Sequence, residues 1–308
     1  MDELTVTFDG KTFAPPKSWN DLKRKQYLKI FSLLCARNKG ALTHSDGLLE
    51  FHKIEVTRAI IGLTDQDLEA WKAKLMAENE EDGEYIFLEQ LKTISEAFSA
   101  FLYEKDEEGK VSVRCDFTRL PYRTLKSRNK KGVTLHGPAD ELDNLTFGEL
   151  AECFTLYEAY LQDQDESYVD RLLAVLYRPH KPKSKKNIAK NYGGDVRLPY
   201  LGYEATVDHR IRKMKGLPQV VRSLLLFWFG CCRKTIIDRY ANIFEAPAGG
   251  KTKQGNDYGY GGLMLSLAGG VVHLDKVSAQ PFDNVFTHLS MLQDKASQAE
   301  WSRAMSGA

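Results

Sequence analysis

The sequence predicts a predominantly α-helical protein with a smaller α+β part at the N-terminus: a β-hairpin comes first and a helical bundle last. Three observations carry this. Residues 4–13 alternate apolar and polar side chains around Asp9-Gly10, and Val111 to Phe117 alternate again. Beyond Gly137-Pro138, nearly every segment repeats its apolar residues at helical spacing. The expected domains are an α+β domain at 1–138 and a helical domain at 139–308. The second would carry a basic loop at 178–200 and a glycine-rich loop at 246–262.

Taken in order, Leu4, Val6 and Phe8 oppose Thr5 and Thr7, and an Asp-Gly turn before Thr12 and Phe13 is a strong hairpin signal. Ser18 with Asp21 reads as the cap of a helix that Gly40 stops. Helices are expected at 46–61 and 65–77, the second capped by Thr64 with Asp67 at its positive end. A further helix is expected from Tyr85 to Tyr103, then the half-buried strand Val111 to Phe117 and a short strand at Val133 and Leu135.

In the second half, Thr146 and Glu149 make a capping box for a helix ending near Leu161, and Asp163 or Asp165 caps the next. That helix buries Leu172, Val175 and Leu176 and closes on LYRP. There Arg178 is expected at the negative helix end and Pro179 forbids continuation. A long helix over 217–244 is apolar all round from Leu224 to Phe229, as central bundle helices are. A shorter helix follows the glycine-rich stretch, and the last begins at Pro281.

Composition narrows the class. Hydrophobic residues make up 43% and charged ones 28%, the balance of a folded chain rather than a disordered one. The net charge is +1, but the sign is uneven: Glu78 to Glu84 is acidic and Arg171 to Arg239 is basic. Five cysteines without a CxxC read as reduced thiols. The N-terminus lacks a secretory pattern, and the most apolar stretch, Ser223 to Cys232, is half of the roughly 20 residues a bilayer span needs. No membrane partner is expected.

No catalytic signature emerges. Glu245 to Thr252 keeps the second half of a phosphate-binding P-loop, but Glu245 replaces the first glycine, and a carboxylate there repels the anion. Gly259-Tyr-Gly261-Gly262 lacks the third glycine of a dinucleotide fingerprint. Histidines at 44, 52, 136, 180, 209, 273 and 288 form no metal-ligand spacing. The expectation is a non-enzymatic protein without cofactor or metal.

Two surface features remain. Arg178, Lys181, Lys183, Lys185, Lys186 and Lys190, followed by Arg210, Arg212 and Lys213, form a basic region for docking a protein or gripping a polyanion. Tyr192, Tyr200 and Tyr203 are interleaved with them, so nucleic-acid binding through 178–215 is the alternative function. Phe282, Phe286 and Leu289 lie along one side of the last helix and are candidate anchors for a partner groove.

LTFGELAECFTLYEAYLQDQDESYVDRLLAVLYRP, residues 145–179, resembles a segment of proteins encoded in tailed bacteriophages and prophages of the Bacteroidota. YGYGGLMLSLAGGVVHLDKV with PFDNVFTHLSML, within 258–292, is similar to the same group's C-terminal pattern. The departures are Tyr258 and Tyr260, where that pattern has tryptophan, and the N-terminal half, which matches nothing in it. The resemblance implies a tail-assembly or tail-structural protein encoded near the tape-measure gene. Its partners would be tape-measure or tube protein, and its location the host cytoplasm during assembly, with retention in the virion and oligomeric state left open.

Overall fold

A computed structural model describes residues 5–8, 11–38, 46–105, 107, 111–126, 134–181, 195–200, 204–244, 259–269 and 271–306. Among them the protein is mostly helical, with a few small antiparallel sheets. The chain divides into two compact units, Met1–Phe117 and Thr118–Ala308. The division falls before the boundary expected at 138/139, and the reason is in the hydrogen bonds. Thr118 O accepts from Trp228 Nε1 at 3.0 Å and from Glu141 N at 3.0 Å, and Leu120 N donates to Asp140 Oδ1 at 2.8 Å.

The first unit opens with β1 (Val6–Phe8) and β2 (Lys11–Phe13), antiparallel with Thr7 opposite Thr12, as the hairpin signal predicts. Ser18 and Asp21 do form a capping box, but over a single 3-10 turn, Trp19–Asp21, which ends at Leu22. The first α-helix, α1 (Arg24–Asn38), starts only after it. The turn delivers Trp19 to the core, where it stacks on Phe117 at 5.4 Å and meets Phe101 edge-on at 5.9 Å.

Helices α2 (Asp46–Ile61), α3 (Asp65–Glu78) and α4 (Gly83–Ser99) follow, with α4 packed on both α2 and α3. Thr64 and Asp67 form the capping box of α3, and two hydrogen bonds to Thr64 hold the Asp67 carboxyl below the ordinary aspartate range. The helix expected to reach Tyr103 ends earlier. A 3-10 turn at Ala100–Leu102 passes the chain into β3 (Tyr103–Lys105), which pairs with β4 (Val111–Val113). The strand expected over Val111 to Phe117 is therefore confined to its first three residues. Phe117 is buried against Trp19 and Tyr27 rather than lying along a sheet.

In the second unit β5 (Thr124–Lys126), β6 (Thr134–His136) and β7 (Arg178–Pro179) form a three-stranded antiparallel sheet with β6 central. Gly137 follows β6 because only glycine fits there: a Cβ would lie 2.8 Å from Leu120 Cδ2 and 2.9 Å from Tyr177 Cε1. Helices α5 (Phe147–Asp163) and α6 (Glu166–Leu176) pack against each other. Thr146 and Glu149 cap α5 as expected, and Asp165 caps α6 by accepting from Ser167 N at 2.8 Å.

The remaining helices are α7 (Glu204–Met214), α8 (Gln219–Arg239), α9 (Ala241–Phe244), α10 (Gly259–Ala268), α11 (Leu274–Ser278) and α12 (Phe282–Ser306). The long helix expected to reach Phe244 breaks at Tyr240, and its apolar middle is core: Leu224, Leu225, Trp228 and Phe229 are fully buried. Gly259 to Gly262, expected inside a loop, open α10 instead. The P-loop-like Glu245 to Thr252 lies outside the described residues. No helix among the described residues is long and apolar enough to cross a membrane.

Candidate functional site

Arg178 is neither a helix cap nor a docking cation. α6 stops at Leu176, and β7 carries Arg178 inward, where its side chain is 1% exposed. Its Nη1 donates to Glu149 Oε1 at 2.5 Å, and Nη2 lies 3.5 Å from Asp195 Oδ2. Burial presses the guanidinium below its ordinary pKa, and Glu149 acts against that loss. The helix-end role falls to Arg197, whose Nη1 donates to the Leu176 carbonyl at 2.8 Å.

Arg197 is the second buried guanidinium, with a fully covered side chain. Its Nε and Nη2 both donate to Asp195 at 2.9 Å, and Nη2 lies 3.6 Å from Glu149 Oε2. Asn144 Oδ1 accepts a longer contact from the same Nη2 at 3.3 Å. Two guanidiniums thus face two carboxylates, a neutral set in which each charge has an opposite neighbour. Buried ions persist only under that condition. Glu149 does double duty: it is also the third residue of the α5 capping box.

The cluster binds three segments. Glu149 comes from α5, Arg178 from β7, and Asp195 with Arg197 from the chain that returns alongside. Leu198 N donates to Pro179 O and Lys181 N to Val196 O, both at 2.8 Å. The ends of the expected basic loop are therefore paired backbone with buried charges.

The other expected contact residues scatter. Lys181 is half-buried, and its Nζ donates to Asp195 O at 3.0 Å. Arg210 Nε donates to Ala174 O at 2.7 Å, and burial lowers its pKa. Arg212 is exposed on α7 and Lys213 half-buried beside it. Lys183, Lys185, Lys186 and Lys190 lie outside the described residues, as do Tyr192 and Tyr203. Among the described cations of the region, Arg178 and Arg210 are committed to internal partners.

Two of the three expected anchors are core. Phe282 and Phe286 are 0% and 1% exposed. Phe286 makes ring contacts with Phe147, Tyr240, Phe244 and Phe282, with centroids 5.3 to 5.9 Å apart. Leu289 is half-buried. The 3.6-residue repeat that suggested a partner groove is satisfied by this chain's own α5, α8 and α9 region. Exposed apolar residues of this unit include Met291 and Leu292 on α12, and Val271 and Val272, which lie on a 3-10 turn between α10 and α11 and are 73% and 87% exposed.

Beside the charge cluster, α5, α6 and α10 line a cleft of about 430 Å³. Its polar wall is Glu152, Arg171 and Tyr200; its apolar side includes Ala151, Leu156, Tyr260 and Met264. Glu152 accepts from Arg171 Nε at 3.3 Å and from the Tyr200 hydroxyl. Burial and then Glu152 raise the Tyr200 pKa, which holds the phenol as a proton donor and leaves the carboxylate occupied as an acceptor. Burial also pushes Tyr260 up to about 12.

Sequence reasoning reached Thr146, Glu149 and Arg178 but missed Asp195 and Arg197, which sit in GGDVRLPY without periodicity or motif. It also missed the close approach of His136 and His180, whose rings are 5.2 Å apart. Among the described residues no group of three or more His, Cys, Asp or Glu is placed to hold a metal ion. Comparison with family models, curated proteins and solved structures finds no match to this chain.

Proposed function

We propose that this chain is a non-enzymatic tail-module protein of a tailed bacteriophage or prophage, an assembly factor or structural component working through protein–protein contacts. The observation that carries the reading is how the two resembling segments meet. α5, which opens the first, packs against α10, α11 and α12 of the second. Thr146 bridges to Pro281, Phe147 N donates to Gln280 O at 2.8 Å, and Phe282 N donates to Leu145 O at 3.3 Å. Two stretches read separately as phage-like are thus halves of one packed body, supporting a shared origin for both.

The contact surface follows from what that body leaves uncovered. Val271 and Val272 stand out at a turn within the second resembling segment, where two β-branched apolar side chains in water cost free energy that a partner would recover. Replacing both with aspartate is expected to abolish co-purification of tape-measure or tube protein from infected-cell lysate while leaving the melting temperature unchanged. Undiminished capture by the double variant would remove this turn from the interface. Nucleic acid in place of tail protein, with affinity falling steeply as salt rises, would replace the proposed function by the alternative one.

A further inference from the structure

His136 ends β6 and His180 follows β7, and the register that sets His136 opposite Arg178 and Leu135 opposite Pro179 brings the two imidazoles together. Diagonal neighbours on paired strands are within reach of ring side chains. Here the ring centres are 5.2 Å apart with planes at 73°. Two imidazoles sharing a tetrahedral ion through nitrogens at about 2.0–2.1 Å have ring centres roughly 5 Å apart, once the step from nitrogen to ring centre is added.

The tautomer provides a second observation. His180 Nδ1 lies 2.5 Å from the Lys181 carbonyl oxygen. A carbonyl only accepts, so Nδ1 carries the proton and the Nε2 lone pair is left for another partner. An imidazole that gives its other N–H to a backbone carbonyl is the usual arrangement of a metal-bound histidine. Nearby cations are already engaged: Lys181 Nζ with Asp195 O, and Arg178 with Glu149 and Asp195.

We propose that His136 and His180 form a two-imidazole site for a borderline divalent ion, Zn²⁺ or Cu²⁺, with water completing the coordination. Imidazole nitrogen suits these ions. The ion would clamp β6 to the chain leaving β7, next to the bridge between His180 and Arg197. It would thereby brace the segment that supplies Asp195 and Arg197 to the buried cluster. The site is independent of the tail assignment.

The test is Zn²⁺ titration by calorimetry of the full chain, stripped with chelator, beside His136→Asn, His180→Asn and His273→Asn variants. Saturable one-to-one binding is expected for the parent and for His273→Asn. Each of the other two should bind at least about tenfold more weakly, the scale on which even outer-shell partners act. In long-range ¹H–¹⁵N spectra, Zn²⁺ should move the ring resonances of His136 and His180 and leave those of His273 in place. Absence of saturable binding by the parent, or binding unchanged in both His136→Asn and His180→Asn, overturns the proposal.

Discussion

Glu149→Ala is expected to lower the unfolding free energy by about 3–5 kcal/mol, the cost of removing one partner from a buried ion pair. The carboxylate faces two guanidiniums that are essentially sealed from water, and without it Asp195 alone must balance Arg178 and Arg197. Urea unfolding followed by far-ultraviolet circular dichroism measures the loss. Thr146→Ala removes only the cap, at about 1 kcal/mol, and so separates the two jobs of Glu149. A Glu149→Ala variant no less stable than Thr146→Ala would show that the ion cluster contributes nothing.

The second large effect is Phe286→Ala, expected to cost about 3–5 kcal/mol as a buried aromatic truncation. Phe286 touches four other rings, and the vacated volume is bordered by Phe147 on α5, Phe244 on α9, Tyr240 at the break between α8 and α9, and Phe282 on its own helix. Met291→Ala on the same helix serves as the contrast. It is 58% exposed, and its effect should stay within about 0.5 kcal/mol. A Phe286→Ala protein of unchanged stability would restore that residue to the surface role its spacing first suggested.

These residues also show what the sequence could reveal. Local chemistry was legible: Thr64 with Asp67 and Thr146 with Glu149 cap the helices they were expected to cap, and Asp165, one of two candidates, caps the next, because a cap is decided within three or four residues. The hairpin at residues 6–13 was legible for the same reason. Failures came where a distant partner decides the outcome. β3 follows a helix with no alternation of its own and exists because β4 pairs with it. The helical spacing of Phe282 and Phe286 announces an apolar face but not what covers it. Arg178 carries no mark distinguishing a surface cation from a buried one, since its counter-ions lie on α5 and at Asp195, far along the chain. His136 and His180 meet only through sheet register.

Mass spectrometry of purified particles, and of complexes recovered from lysate, tests the functional account most directly. The organism or phage that encodes this chain is the source for both. The account predicts recovery either at stoichiometric levels in particles, which makes the protein structural, or bound to tape-measure or tube protein in lysate and absent from particles, which makes it an assembly factor. Recovery with neither particle nor tail protein would contradict it.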